Sequence, residues 1–279
     1  MPLFLLLALA AIALPAAVAM ALPGPAKSAI LARLRRHTGD VRPHQFVRYA
    51  PVSALLGHGP MGTLLEIGSG PAGITLLRPD LRIVGCDLEF YRRPNAGVMA
   101  VRGSADALPF RDQSFDEVVS VEMLEETRPE EREGVLSEMV RVARRRLIVT
   151  TPWGGPGDRL HRDLYRWLTV RDRKPSGWLV RLQSVPSPDE SVLEAFRNRS
   201  DLRVTVVPGF GRVPCWWLLR LEQYFATGVL LQLLLPIARG LFRAGRGSLR
   251  WGESYEKIVV VERILVTHVA IEPDARLAG

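Results

Sequence analysis

Short apolar runs alternate along this chain with stretches whose apolar residues recur at helical spacing. The apolar runs lie at 63–67, 82–87, 114–121, 145–151, 202–207 and 257–268, with a further one directly before Gly103. Runs of this length bounded by glycine or proline are typical of buried strands. Residues 129–144 instead place apolar side chains on one helical face, with glutamates in the first turn and arginines near the last. This alternation predicts an α/β fold with a parallel sheet and right-handed crossovers.

The connections between the first strands are short. Between Gly73 and Arg82 there is room for little more than one helical turn before Pro79, and residues 87–98 contain Pro94. Because proline inside so short a segment disfavours a helix, one flank of the sheet should be thinly covered. A partner, a membrane or another segment of the chain would then cover it.

Two insertions interrupt the predicted sheet, at 153–200 and at 210–253. The first opens on glycines at 154–157 and continues with apolar residues at helical spacing, and a second helix is expected near its end, capped by Ser187 or Asp189. Glycines beside aromatic residues are typical of a mobile lid, and a rigid surface excursion is the alternative interpretation.

The second insertion is strongly apolar. Its charge-poor part, 224–238, would be about 22 Å long as a helix, too short for a bilayer of about 30 Å. Trp216 and Trp217 precede this part and several arginines follow it. Aromatic rings and trailing cations beside an apolar segment indicate an element that lies in a membrane interface. The alternative is that the insertion folds back over the thinly covered flank.

The beginning of the chain carries a second membrane signal. Residues 2–22 contain no charged side chain, and about twenty apolar residues can just span a bilayer as a helix. A membrane anchor is favoured by the basic residues that follow at Lys27, Arg33 and Arg35, which would place the rest of the chain on the cytoplasmic face. A signal peptide lacks its usual basic start here. In the third interpretation the start is misassigned, Met20 is the first residue and the protein is cytoplasmic.

These patterns divide the chain into three parts. They are a hydrophobic segment at 1–25, helices at 26–60, and a domain at 61–279 that contains both insertions. The formal net charge is +8, nearly all of it from arginine, which suits an anionic surface, either membrane or nucleic acid. The two cysteines offer neither a disulfide framework nor metal-ligand spacing, and we expect no metal site.

The first strand of the predicted sheet ends in glycines spaced G-x-G-x-x-G, at Gly68, Gly70 and Gly73. Such glycines allow a sharp turn from strand to helix and leave no Cβ between the backbone and a ligand. The amides that follow suit a nucleotide-like ligand. Glu66 lies two residues before the first glycine, where an acid would face a cationic ligand at short range. S-adenosylmethionine, with its sulfonium and amino groups, is such a ligand.

Three further blocks follow in a fixed order: Asp87 at the end of the second strand, Gly103-Ser104-Ala105-Asp106-Ala107-Leu108-Pro109-Phe110, and Glu122-Met123-Leu124-Glu125 after the fourth. With the glycine turn, they resemble the class I S-adenosylmethionine-dependent methyltransferases, in particular the small-molecule branch of methyltransferase type 11. The resemblance covers about 64–152 well. It implies a Rossmann-like, seven-stranded, mostly parallel sheet with an antiparallel last strand, and S-adenosylmethionine as cofactor.

The resemblance also implies which residues bind the cofactor. Glu66 would hold the glycine turn and the cationic end of the methionine part, and Asp87 would bind the ribose hydroxyls. Glu122 would lie near the methionine part and the methyl acceptor. The complete expected set is Glu66, Gly68, Gly70, Gly73, Asp87, Leu88, Ser104, Ala105, Asp106 and Glu122.

The chain departs from the family's pattern at two positions. Ser104 stands where the family usually has an acid that accepts from the adenine amino group, and Asp106 would either replace that acid or be exposed. Glu126 stands where the family usually has a histidine. A base could therefore be Glu126 itself, or His161 or Tyr165, which lie one helical turn apart in the first insertion. Each of the last two is also a common packing residue.

From these observations we predict methyl transfer to a hydrophobic or lipid-linked small molecule at the cytoplasmic membrane face. A nicotinamide-dependent oxidoreductase would share the glycine turn and Asp87, but Glu66 and the Ala-Leu-Pro-Phe block disfavour it. A degenerate methyltransferase fold that serves as a membrane-associated scaffold is the non-enzymatic alternative. A nucleic-acid methyltransferase is the alternative within the class, although no appended RNA-binding module is recognisable.

Overall fold

The computed structural model describes residues 43–56, 62–224 and 252–264, together with Pro25, Ala29 and Val41. The hydrophobic segment predicted at 1–25 and most of the helices predicted at 26–60 lie outside the described residues. So does the charge-poor part of the second insertion beyond Tyr224. Among the described residues, no helix is both long and apolar enough to cross a membrane.

Seven strands form one sheet in the order β3-β2-β1-β4-β5-β7-β6. They are β1 Leu64–Ile67, β2 Ile83–Asp87, β3 Val98–Arg102, β4 Phe115–Val121, β5 Ala143–Pro152, β6 Leu202–Pro208 and β7 Glu256–Arg263. The first five pair in parallel, and β7 lies antiparallel between β5 and β6. The predicted α/β fold with an antiparallel last strand is therefore confirmed. The strand order reverses between β1 and β4, and ligands of such sheets bind at the carboxyl ends of the strands beside this reversal.

Six α-helices accompany the sheet in the described part of the chain: α1 Pro43–Leu56, α2 Arg132–Val142, α3 Gly154–Thr169, α4 Gly177–Arg181, α5 Glu194–Arg197 and α6 Arg212–Tyr224. As predicted, the connection after the glycine turn holds only a 3-10 helix, Gly73–Leu76, and the connection between β2 and β3 holds no helix. The helix before β5 ends two residues earlier than predicted, because β5 already begins at Ala143.

The first insertion, residues 153–200, packs closely on itself. The glycines at 154–157 form the first turn of α3, and a Cβ on Gly157 would come within 2.6 Å of the Ser187 hydroxyl oxygen. Asp189 caps the following turn by accepting a hydrogen bond from the Ser191 amide at 3.0 Å. This close packing favours the rigid interpretation of 153–200 over a lid that moves on a glycine hinge.

The two faces of the sheet are covered by different helices. On one face, Leu136 and Met139 of α2 pack against Leu65, Val118 and Leu147. On the other face, α1 fills the space left by the short connections, packing Tyr49, Val52 and Leu56 against the strands. A third apolar cluster joins α3 to α6. The predicted thin flank is thus partly covered by the chain itself, although Leu88 and Met99 near the β3 edge stay 68% and 66% exposed.

Candidate active site

The glycine turn after β1 is closed by hydrogen bonds to β2. The Gly68 amide donates to the Cys86 carbonyl at 2.8 Å, and the Gly70 amide donates to Asp87 Oδ2 at 2.7 Å. Gly70 has a φ of 53°, and a Cβ at this position would meet nothing closer than a Tyr91 ring atom at 4.0 Å. This side of the turn is therefore open, so that a ligand can lie directly against the backbone.

Glu66 holds the same turn from inside the protein. The side chain is fully buried, its Oε1 accepts from the Tyr49 hydroxyl at 3.0 Å, and its Oε2 accepts from the Ile74 amide at 2.7 Å. A Cβ on Gly73 would lie 2.1 Å from Oε2, so only glycine lets the carboxylate reach that amide. Burial raises the pKa of Glu66 to about 7. Both oxygens are engaged, and the predicted contact with the cationic end of the cofactor stays a prediction.

Asp87 is half-buried at the end of β2. Its Oδ2 is engaged by Gly70, whereas Oδ1 receives only a long hydrogen bond from the Glu89 amide at 3.4 Å. Leu88 and Tyr91 beside it are exposed, at 68% and 76%. The Asp87 carboxylate and the Tyr91 ring thus border the open side of the glycine turn, where the predicted ribose contact would form.

The loop after β3 is fixed by α2. Glu138 accepts from the Leu108 amide at 2.9 Å, and Arg141 donates to the Leu108 and Phe110 carbonyls at 3.2 and 2.8 Å. In the same loop Ser104 and Asp106 are exposed, and Ala105 is half-buried. Both polar residues thus remain candidates for the adenine contact. The roles of Glu138 and Arg141 were missed, since an acid and a base three apart on a helix look like any surface pair.

Glu122 follows β4 in a left-handed backbone conformation, with a φ of 48°. Its side chain is 6% exposed and forms an ion pair with Arg48 of α1, at 2.6 Å between Oε2 and Nη2. Its amide donates to the Thr150 carbonyl at 2.8 Å, which fixes the turn out of β4. Arg48 is a site residue that the sequence did not reveal, because a single arginine in an amphipathic helix carries no distinguishing pattern.

Two further buried acids stand near this ion pair. Glu125 accepts from the Thr151 hydroxyl at 3.0 Å, and burial, aided by the charge of Glu122, raises the pKa of Glu125 to about 8. Glu256, the first residue of β7, is 1% exposed, and burial with the Glu122 charge raises its pKa well above the usual range. The sequence places Glu125 in the block after β4 but predicts no role for it. For Glu256 the sequence shows only that it stands near the start of a strand.

A narrow cleft lies beside Glu122. Its polar lining residues include Arg48, Tyr255 and Glu256. Its apolar lining residues come from α1, α6 and the segment after β6, and they are Val47, Phe210, Cys215, Leu218 and Leu219. The space between these residues is small, about 10 Å³, and its lining is largely apolar with a few polar groups.

The three candidate bases do not line this cleft. Glu126 is 40% exposed and pairs with Arg181 of α4 at 2.5 Å. His161 is buried with its Nε2 3.1 Å from the Tyr255 hydroxyl, and burial lowers its pKa to about 4, so the ring is neutral at pH 7. Tyr165 packs against the apolar cluster between α3 and α6. The role of each as a base stays a prediction.

Residues 65–148 match the family model described as a methyltransferase domain. The chain therefore contains a methyltransferase domain over these residues, and S-adenosylmethionine is the cofactor of such a domain. The open side of the turn at Gly70, with Asp87 beside it, fits such a cofactor. No curated protein matches the chain in sequence. Within the described ranges, no group of three His, Cys, Asp or Glu residues is placed to hold a metal ion.

Several solved structures resemble the chain at low identity. A putative methyltransferase from Haloferax volcanii, in complex with the Trm112 methyltransferase activator, is 16% identical with a TM-score of 0.46, over 85% of this chain and 94% of that one. A putative methyltransferase from an antibiotic biosynthesis pathway of Anabaena variabilis is 16% identical with a TM-score of 0.47, over 77% and 96%. Geranyl diphosphate C-methyltransferase from Streptomyces coelicolor is 16% identical with a TM-score of 0.47, over 79% of each chain.

Proposed function

We propose that this enzyme transfers a methyl group from S-adenosylmethionine to a hydrophobic or lipid-linked small molecule at the cytoplasmic face of a membrane. The observation that carries the acceptor class is the cleft beside Glu122. Val47, Phe210 and Leu219 are among the apolar residues that line it, and the one arginine in this lining, Arg48, is already paired with Glu122. A strongly charged acceptor such as a nucleic-acid backbone would therefore find no unpaired arginine among these lining residues.

The chain's own residues would act mainly by positioning. The glycine turn and Asp87 would hold the cofactor, which when bound supplies a methyl group that is already activated. Arg48 keeps the side chain of Glu122 in one orientation between the turn and the cleft. Holding two reactants at near-attack distance can lower a barrier by roughly 7–11 kcal/mol. Such a reaction needs no dedicated nucleophile on the protein.

The membrane part of the proposal is supported by α6. Trp217 on this helix is 50% exposed. The Arg220 guanidinium stands 5.3 Å from the centre of the Trp217 ring, and also 5.0 Å from that of Trp216. A cation beside an exposed indole ring is the combination that suits a headgroup region. The uncharged stretch at 2–22 would add a second contact with the bilayer.

The acceptor class can be tested with S-adenosylmethionine labelled in its methyl group. Purified protein is incubated with a lipid extract of source-cell membranes or with the aqueous extract of the same cells. We expect label in the organic phase of the lipid reaction, and much less with Asp87→Ala at low S-adenosylmethionine concentration, which controls for contaminating enzymes. Label in aqueous metabolites or in added RNA would contradict the lipid-like acceptor. Cofactor binding without transfer to any extract would favour the scaffold function.

The membrane contact can be tested by co-sedimentation with anionic vesicles. Protein lacking residues 1–22 should still bind them, and binding should weaken as salt is raised, because arginines on anionic lipid contribute. Trp217→Ser should reduce the bound fraction several-fold. Tyr91→Ser is the matched control, since Tyr91 is also an exposed aromatic but lies at the glycine turn. A truncated protein that stays in the supernatant at low salt would refute an interfacial α6.

A further inference from the structure

A depression of about 450 Å³ lies at the edge of the sheet opposite the active site, where the parallel strands β4, β5 and β6 begin. Glu117 lies at this edge and Glu122 at the other, and a rise of about 3.3 Å per residue along β4 separates them by about 16 Å. The depression is therefore distinct from the cofactor site, and its volume is that of a small-molecule site. Its lining residues are Glu117, Arg145, Arg146, Arg203, Glu262, Arg263 and Ile264.

A row of charged residues crosses four strands in this depression. Arg146 of β5 is in register with Glu117 of β4 and with Glu262 of β7. Arg203 of β6 is in turn in register with Glu262. Side chains at registered positions share one face of a sheet, so positive and negative groups alternate along the row. Arg146 is already engaged, since it donates to both carboxylate oxygens of Glu117 at 2.7 and 3.2 Å.

Two other arginines of the depression keep free guanidinium groups. Arg145 and Arg203 are exposed, and neither side chain forms a hydrogen bond or an ion pair with a described residue. Arg145 and Arg146 are consecutive in a strand, where side chains normally point to opposite faces. Both line the depression because the register between β4 and β5 shifts at this point, an irregularity that re-aims a side chain.

The charge around the depression is positive on balance, because four arginines and two acids line it. Asp116 lies near Arg145, but it already accepts from the Thr63 amide at 2.8 Å and pairs with Arg144. A free guanidinium group presents its N–H donors in a planar fork that matches the oxygens of a phosphate group. The depression therefore favours an anion over a neutral or cationic ligand.

We propose that this depression is a second binding site, in which Arg145 and Arg203 bind the phosphate group of an anionic ligand. Glu262 stands beside Arg203 and limits the negative charge that the site tolerates. Soluble phosphate compounds and anionic lipid headgroups share this chemistry. The inference does not rest on the proposed function, because the depression shares no lining residue with the cleft beside Glu122.

The test is isothermal titration calorimetry of the purified full-length protein with inorganic pyrophosphate. S-adenosylhomocysteine is present in excess to fill the cofactor site, and salt at about 0.15 M screens exposed charges more than about 8 Å away. The unmodified protein should bind pyrophosphate. Arg145→Gln and Arg203→Gln should each weaken this binding by about tenfold, because each removes a charge-assisted hydrogen bond. Glu262→Gln should tighten it, because a neighbouring negative charge is lost.

Arg144→Gln is the matched control for these variants. Arg144 precedes Arg145 in the same strand and its side chain is 49% exposed, but it pairs with Asp116 and does not line the depression. It should bind pyrophosphate like the unmodified protein. No binding of pyrophosphate, an equal loss in Arg144→Gln and Arg203→Gln, or weaker binding in Glu262→Gln would overturn the proposal.

Co-sedimentation with phosphatidylcholine vesicles, with and without phosphatidate, identifies the source of the phosphate group. Phosphatidate-dependent binding that falls in Arg203→Gln assigns the site to a lipid headgroup. Pyrophosphate binding together with an unchanged bound fraction in Arg203→Gln assigns it to a soluble ligand. RNA that binds through Arg203 while pyrophosphate does not bind would assign these arginines to a nucleic acid and would overturn the proposal.

Discussion

Replacing Asp87 with alanine should weaken the binding of S-adenosylhomocysteine by roughly tenfold to a hundredfold. A charge-assisted hydrogen bond of this kind contributes about 1.5–3 kcal/mol. The substitution removes the acid expected to bind the ribose, and it also leaves the Gly70 amide without the acceptor that holds it at 2.7 Å. The loop would then be less ordered at the glycine of the turn whose Cβ position is open. Isothermal titration calorimetry measures the loss directly.

Two variants make this result specific. Asp87→Asn keeps an oxygen that can accept from the Gly70 amide but removes the charge, so its affinity should lie between those of the unmodified protein and Asp87→Ala. Glu89→Ala removes an exposed acid two residues further along and should change affinity little. If Asp87→Ala binds within about threefold of the unmodified protein, neither the ribose contact nor the loop contact supports the cofactor.

Replacing Arg48 with methionine should lower the free energy of unfolding by about 3 kcal/mol. Breaking a buried ion pair by removing one partner costs about 3–5 kcal/mol. We expect a value at the lower end of this range because the Arg48 side chain is 27% exposed. Glu122, 6% exposed, would be left among other buried acids without its cation. Urea denaturation at pH 7 measures the effect. Arg128→Met removes one partner of an exposed pair with Glu131 and should have almost no effect.

The pH dependence of the stability loss in Arg48→Met separates the effect of the missing charge from that of the missing packing contacts. Without Arg48 the pKa of Glu122, already raised by burial, should rise further above its unfolded value. Its contribution to stability is then fully present below the unfolded pKa and is lost as pH rises through the folded pKa. Arg48→Met should therefore be more destabilised at pH 8 than at pH 5. Adding Glu122→Gln should recover much of the loss at pH 8. A loss in the free energy of unfolding that is the same at both pH values would indicate that only packing contacts were lost.

Local patterns predicted the fold well. Each strand starts within a few residues of its apolar run, and the short 3-10 helix after Gly73 follows from the position of Pro79. The places of the glycine turn, Asp87 and Glu122 at the ends of their strands could be predicted because they depend on residues close in sequence. The carboxyl ends of parallel strands lie at the same edge of a sheet. Residues that directly follow these strands in the sequence can therefore be placed at that edge without a structure.

The groups that surround these residues could not be predicted in the same way. Arg48 and Glu122 are brought together only when α1 packs across the sheet, and the Tyr49 hydroxyl reaches Glu66 for the same reason. Neither contact leaves a periodic pattern. The surroundings of the candidate bases could not be predicted either: His161 lies beside the Tyr255 hydroxyl, and Glu126 pairs with Arg181 at the surface.

Consecutive residues of α1 hold two different acids of the active site. Arg48 binds Glu122 after β4, and Tyr49 binds Glu66, which in turn holds the end of the glycine turn at Ile74. A displacement of α1 would loosen both sides of the reversal in strand order at once. Thermodynamic reciprocity then requires that a ligand bound at this edge strengthens the docking of α1 by the same free energy with which docked α1 strengthens the ligand. The docking of this helix and the binding of a ligand at this edge are therefore coupled, and a change in either equilibrium changes the other.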